Sequence, residues 1–135
     1  MQTFLFILTL LFTLALEAGE APQTDAERAR ATATEMEYWR IALTARQKEV
    51  HSFPQGDVDA ARVAVEPVYI DRALTRDAWG NRYHYEATES GFLLVSAGAD
   101  GKLSPESWSK AGELSSLGDD AVMTHEGRAR FWKAR

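Results

Sequence analysis

The sequence contains no cysteine, and this absence removes several kinds of site at once. Without a thiol the chain can form no disulfide, no thiolate nucleophile and no cysteine-based zinc or iron–sulfur centre. A lipidated N-terminal cysteine is excluded for the same reason. Any bound metal ion would therefore take oxygen or imidazole ligands.

Positive charge is also in short supply, since 15 Lys and Arg residues stand against 20 Asp and Glu, giving a formal net charge of −5. A general nucleic-acid-binding protein needs a basic face for the phosphates, so we expect no nucleic-acid partner. The length of 135 residues and the hydrophobic content of 45% suit one globular domain with a modest core.

Catalytic motifs are missing as well. The sequence has no GxSxG nucleophile elbow and no glycine-rich phosphate loop. The histidines, at His51, His84 and His125, are dispersed and lack the HExxH spacing of a zinc site. The sequence therefore predicts that the protein is not an enzyme; a small hydrolase or a glycan-binding module is the minor alternative.

An unbroken run of apolar residues and threonines occupies residues 4–16. As a helix it would reach about 20 Å, short of the roughly 30 Å hydrocarbon core of a bilayer. Gly19 and Ala21 are the small residues that suit cleavage after Ala21. We predict a signal peptide over residues 1–21, a globular domain over 22–135, and a periplasmic or extracellular location. The alternative is a short uncleaved anchor in the inner membrane.

A long helix is predicted next. Thr24 and Glu27 have the spacing of a capping box, and neither Pro nor Gly follows before residue 53. The helix should run to about Glu49. Its apolar residues recur at intervals of three, four and seven and define one buried stripe: Met36, Trp39, Leu43 and Val50.

Shorter elements follow a cluster of turn-forming residues at 53–57. Residues 58–65 predict a short helix that ends before Pro67, because the residue preceding proline avoids the helical region. Residues 82–86 and 91–96 predict the two strands of an antiparallel hairpin. Residues 103–117 show little periodicity and predict a long loop with at most one helical turn, near 105–108.

From residue 121 onward one acid stands against four bases, which alternate with aromatic residues. This composition suits a contact with a membrane surface or an acidic partner. The simpler interpretation, which we favour, is that Phe131 or Trp132 docks on the domain and the charges remain solvated.

The order of these features resembles the major pseudopilin, pseudopilin G, of bacterial type II secretion systems. The resemblance rests on a block of turn and strand residues and on a glycine-rich block after it: Asp77, Trp79, Gly80, Asn81, Tyr83 and Tyr85, then Gly98, Ala99, Asp100 and Gly101, and a closing pair at Asp119 and Asp120. It implies an α+β fold in which a long N-terminal helix packs on a small antiparallel sheet, followed by a long loop of calcium-binding type.

The resemblance also has departures. Ala78 stands where the family usually has proline, Ala97 stands where it usually has leucine, and the prepilin-peptidase motif is not found. Of the block's aromatic residues, we expect Trp79 to be structural and Tyr83 and Tyr85 to pack on the long helix.

Calcium is the cofactor that the resemblance implies. Its carboxylate ligands would be Asp100, Asp119 and Asp120, and its carbonyl ligands Ala97 and Lys102. Ca²⁺ takes about six to eight oxygens, and crowded carboxylates need a cation at neutral pH. In the alternative, the loop is a solvated acidic segment and the Asp119–Asp120 pair caps a turn.

The preferred hypothesis is a non-catalytic, exported, pseudopilin-like domain with a structural calcium site, engaged in protein interaction or secretion. The alternative is a genuine pseudopilus subunit or accessory that keeps its hydrophobic N-terminus. Contact with a membrane is expected only in that second case.

Overall fold

A threonine N-cap begins the longest helix of the described residues. The computed structural model describes residues 24–88 and 90–133, and the predicted signal peptide lies outside them. Helix α1 (Asp25–Val50) starts after Thr24, whose Oγ1 accepts a 3.1 Å hydrogen bond from the N–H of Glu27. It ends at His51, which adopts the left-handed conformation. The predicted long helix is confirmed.

The other elements are short. The predicted short helix is present as α2 (Val58–Val65), which is capped by Asp57, and a 3₁₀ helix spans Pro105–Ser107. Five strands form one sheet in the order β1-β2-β4-β5-β3: β1 (His84–Ala87), β2 (Phe92–Ser96), β3 (Gly112–Leu114), β4 (Ala121–Thr124) and β5 (Gly127–Trp132). Neighbouring strands are antiparallel except β3 and β5, which are parallel.

The predicted α+β fold is confirmed, and two details of it are wrong. The segment 103–117 is not loop throughout, because Gly112–Leu114 pairs with β5. Val50 does not belong to the buried stripe of α1, since 48% of its surface is exposed. Helix α1 ends at Val50, so that side chain has no further turn to pack beside it.

Helix α1 lies across the sheet and makes most of the core with it. Met36, Trp39 and Leu43 are buried against sheet residues such as Leu94 and Met123. Burying a large apolar side chain contributes about 1.5–3 kcal/mol each, so this layer is the main source of stability. No helix in the described part of the chain is both long enough and apolar enough to cross a membrane.

Tyr83 and Tyr85 enter the same core. The hydroxyl of Tyr83 lies 3.3 Å from Oε2 of Glu35 on α1, whereas that of Tyr85 donates to the carbonyl of Pro54 at 2.8 Å. Both rings are buried, so neither offers a face to a carbohydrate.

Candidate functional site

The carboxylate of Asp77 is buried and is surrounded by donors from two parts of the chain. Its Oδ1 accepts hydrogen bonds from the backbone N–H groups of Trp79 at 3.1 Å and Asn81 at 2.9 Å. Its Oδ2 accepts one from the hydroxyl of Ser96 at 2.7 Å. A single carboxylate therefore shapes the turn at 77–81 and fastens it to the end of β2.

Further hydrogen bonds extend this connection to α1 and to the loop after β2. The side-chain amide of Asn81 donates to the carbonyl of Gly98 at 2.9 Å, and the N–H of Gly98 donates to Ser96 Oγ at 3.2 Å. Thr32 Oγ1 on α1 accepts from the N–H of Ala78 at 3.0 Å. We call the following four residues the Asp77 junction: Thr32, Asp77, Asn81 and Ser96.

Gly98 lies where the junction meets the acidic loop, our name for residues 97–120, which include the five predicted calcium ligands. Its φ is +76°, and a Cβ there would stand 2.6 Å from the carbonyl oxygen of Leu117 and 2.7 Å from that of Asp119. The N–H of Ala99 donates to the same Leu117 carbonyl at 2.8 Å. The glycine therefore lets the backbone after β2 approach the segment 117–119 closely.

Asp120 closes the acidic loop with its own side chain. The residue is buried, and its Oδ2 accepts 2.7 Å hydrogen bonds from the N–H of Ser104 and from Nε1 of Trp108. The ring of Trp108 lies 4.8 Å from that of His84 on β1. Asp120 thus joins the segment of the 3₁₀ helix to the start of β4.

The other predicted calcium ligands lie near this point but do not converge with Asp120. Asp100 Oδ1 accepts from the N–H of Lys102 at 2.8 Å, and its Oδ2 lies 3.7 Å from where a Cβ of Gly118 would stand. Asp119 has an exposed side chain, and Lys102 is exposed too. Ala97 is buried just after β2.

The donor set has the oxygen chemistry that calcium prefers, and Asp100 lies beside the segment that carries the other two carboxylates. Yet nowhere in residues 24–88 and 90–133 do three or more His, Cys, Asp or Glu side chains form a group that could hold a metal ion. In this arrangement Oδ2 of Asp120 already accepts hydrogen bonds from two protein N–H groups.

Trp79 contacts the first and the last regular elements of the described chain, α1 and β5. Its Nε1 donates to Asp25 Oδ1 at the start of α1 at 2.9 Å, and its ring packs edge to face on Trp132 at 5.4 Å. The side chain therefore links the turn at 77–81 to α1 and β5.

Glu35 and Tyr83 form a partly buried pair beside the junction. Desolvation raises the pKa of Glu35, and the nearby charge of Asp77 acts in the same direction, while the hydrogen bond from Tyr83 and the charge of Arg72 oppose it. Desolvation also raises the pKa of Tyr83 well above its usual value, with the charges of Glu35 and Asp77 adding to the rise. Burial thus shifts the pKa of both groups in the direction that favours the uncharged form.

Sequence reasoning missed three side chains that hold these contacts: Thr32, Ser96 and Trp108. Thr32 lies in an α-helix and Ser96 lies in a strand, and the sequence around each gives no sign of a special role. Their fully buried state is the signal of a role, because buried polar groups require partners. That state depends on contacts across 46 and 19 residues of sequence, which no local pattern records.

Comparison with known families identifies a match. The model of a family described as type II secretion system (T2SS), protein G, matches residues 20–111. The matched span contains α1, α2, the hairpin of β1 and β2 and the Asp77 junction, and it ends just before β3. Asp119 and Asp120 therefore lie outside it. No curated protein matches the chain in sequence.

Proposed function

Because the chain belongs to the type II secretion system protein G family, the pseudopilins, we propose that it is a non-catalytic, exported component of protein secretion. The observation that carries this proposal is the family match, which covers the long helix and the structural block around Asp77. The domain would act by presenting surfaces to other secretion proteins.

The surroundings of Asp77 support a structural role for the block. A catalytic carboxylate must reach the proton or atom on which it acts. Asp77 is only 5% exposed, and donors of the protein itself surround both of its oxygens. Its geometry suits fastening of the fold.

A deletion of the gene in its native host tests the role in secretion. We expect proteins that normally reach the medium to accumulate inside the cells, and expression of the intact chain to restore their release. Quantitative proteomics of medium and cells provides the measurement. An unchanged distribution after deletion would refute the proposed role.

Export is a separate part of the proposal. We expect a mature N-terminus after Ala18 or Ala21 and recovery of the protein from the periplasm or medium. Mass spectrometry of the intact protein measures both positions. A mature protein that still carries residue 1 and sediments with membranes would instead support the anchored subunit.

Calcium binding at the acidic loop also remains a proposal. The ligands would be the carboxylates of Asp100, Asp119 and Asp120 and the carbonyls of Ala97 and Lys102. Support comes from the oxygen-rich donor set and from the proximity of Asp100 to Gly118. Asp120 would offer its Oδ1 to the ion, because its Oδ2 already accepts from the N–H of Ser104 and from Nε1 of Trp108.

Melting curves in calcium and in chelator test this site. An ion that binds only the folded state raises the melting temperature, so we expect an increase of several degrees in millimolar calcium and none in Asp119→Ala. Magnesium at the same concentration is the control, because its smaller, octahedral shell suits such a loop poorly. Equal melting temperatures in calcium and chelator would exclude the site.

A further inference from the structure

A groove of about 260 Å³ lies between α1 and β5, and no residue of the Asp77 junction is among its described lining residues. Its floor is apolar and includes Ala29, Phe131 and Trp132, which are buried. One wall belongs to the residues that match the secretion family, whereas the other, β5, follows the end of that match. The family match therefore covers only one of the two walls of the groove.

The rim of the groove carries positive charge. Arg30 stands on α1, and Arg128 and Lys133 stand on β5 and just after it; all three are exposed. No acidic residue is found among the described residues that line the groove. The net charge of the chain is negative, so this positive rim is a local feature. It favours a partner that carries negative charge.

These cations are available to a partner. Across residues 24–88 and 90–133, no carboxylate lies within salt-bridge distance of Arg30, Arg128 or Lys133. The guanidinium of Arg128 lies over the ring of Phe131, 5.0 Å from its centroid. This contact holds the charge at the edge of the apolar floor, where a carboxylate and an apolar side chain could be bound together.

We propose that the groove binds an acidic segment of a partner protein, with one apolar side chain on the floor and flanking carboxylates on the cationic rim. The positive charge of the rim favours a negatively charged partner. The concave floor favours a peptide chain over a membrane, because a flat bilayer surface would meet the rim and leave the floor uncovered. The inference does not depend on the role in secretion.

Titration of the full chain with a short peptide, one phenylalanine flanked by pairs of glutamates, tests the proposal. Nitrogen–proton NMR spectra should show movement of the Trp132 indole N–H signal. A peptide with alanine in place of phenylalanine should bind several-fold more weakly, since it has nothing to bury. Raising NaCl from about 50 mM to about 500 mM should weaken the binding of both peptides.

Two matched pairs of substitutions distinguish binding in the groove from attraction by net charge. Arg30→Gln with Arg128→Gln should weaken binding about fivefold, at roughly 0.5 kcal/mol for each exposed charge pair. Arg62→Gln with Arg72→Gln removes the same charge from residues that do not line the groove, and binding should be unchanged. Melting curves verify that both variants fold.

Three outcomes would overturn the inference. Equal weakening by the two pairs of substitutions would show attraction by net charge alone. Binding to phosphatidylglycerol vesicles without binding to the peptide would assign the face to a membrane. Self-association in sedimentation, lost in Arg30→Gln with Arg128→Gln, would assign it to a second copy of the chain.

Discussion

The carboxylate of Asp77 and the hydroxyl of Ser96 meet at 2.7 Å in the interior, 19 residues apart in sequence. Through this contact the turn after α2 is fastened to the last residue of β2. Ser96 Oγ also accepts from the N–H of Gly98, so one hydroxyl serves both the junction and the acidic loop. The two regions that the family resemblance singled out are thus physically continuous.

Ser96→Ala should destabilise the domain by about 2 kcal/mol, because it removes a hydrogen bond to a buried carboxylate and leaves the N–H of Gly98 without its acceptor. Urea denaturation measures the difference. Ser90→Ala, at an exposed position, is the control and should change stability by less than about 0.5 kcal/mol. Equal effects of the two substitutions would contradict the proposed importance of the contact.

Gly98→Ala and Gly80→Ala separate steric overlap from backbone strain. Both glycines have positive φ, +76° and +86°, so each substitution should cost about 1–2 kcal/mol from conformation alone. A Cβ at Gly80 meets nothing within 4 Å, whereas one at Gly98 overlaps two carbonyl oxygens. We expect Gly98→Ala to be the more destabilising by at least about 1 kcal/mol in urea denaturation. Equal losses would show that the close approach at Gly98 relaxes freely.

Asp120 and Trp108 should be coupled energetically. In chelator, Asp120→Ala should cost about 2–3 kcal/mol, since it leaves two donors unpaired, while Asp119→Ala should be nearly neutral. Trp108→Phe keeps the ring beside His84 and removes the indole donor, at a cost of about 1 kcal/mol. The double variant should lose less than the sum of the two single losses. Strict additivity in a double-mutant cycle would contradict this coupling.

Glu35 should make stability depend on pH. Its pKa in the folded protein is raised above the ordinary 4.5, so the stability contributed by protonation is fully present below about pH 4.5 and is lost as pH rises through the folded value. Glu35→Gln removes this dependence. We therefore expect the melting temperature of the variant to rise relative to that of the wild type as the pH increases from 4.5 to 7. A constant difference over this range would rule out the raised pKa.

Local signals were sufficient for much of the fold. The capping box placed the start of α1, proline placed the end of α2, and alternating residues placed the hairpin. Each of these signals acts over a few residues, as the hydrogen bonds that it produces do. Phe131 and Trp132 are buried while Arg128 is exposed, as the favoured interpretation of the basic segment predicted.

The remaining strands could not be read from local pattern. Gly112–Leu114 contains one apolar residue and becomes a strand because β5 supplies its partners. Trp108 in turn acquires its role from Asp120, 12 residues later. The acidic pair was assigned to calcium by resemblance, and nothing in its sequence reveals that Asp120 turns toward an indole N–H. Tertiary contacts decide such positions.

The parallel pairing of β3 with β5 makes the two edges of the sheet unequal in the sequence separation of their contacts. The β1 edge pairs with its sequence neighbour β2, so a hairpin creates it. The β3 edge pairs with β5, which lies beyond β4 in sequence, and the N–H of Lys133 donates to the carbonyl of Leu114 at 2.9 Å. Because contacts between residues distant in sequence cost more entropy to close, we expect the three-residue β3 to open before β1 does. We therefore expect the segment between β2 and β3 to be held more firmly at its β2 end than at its β3 end.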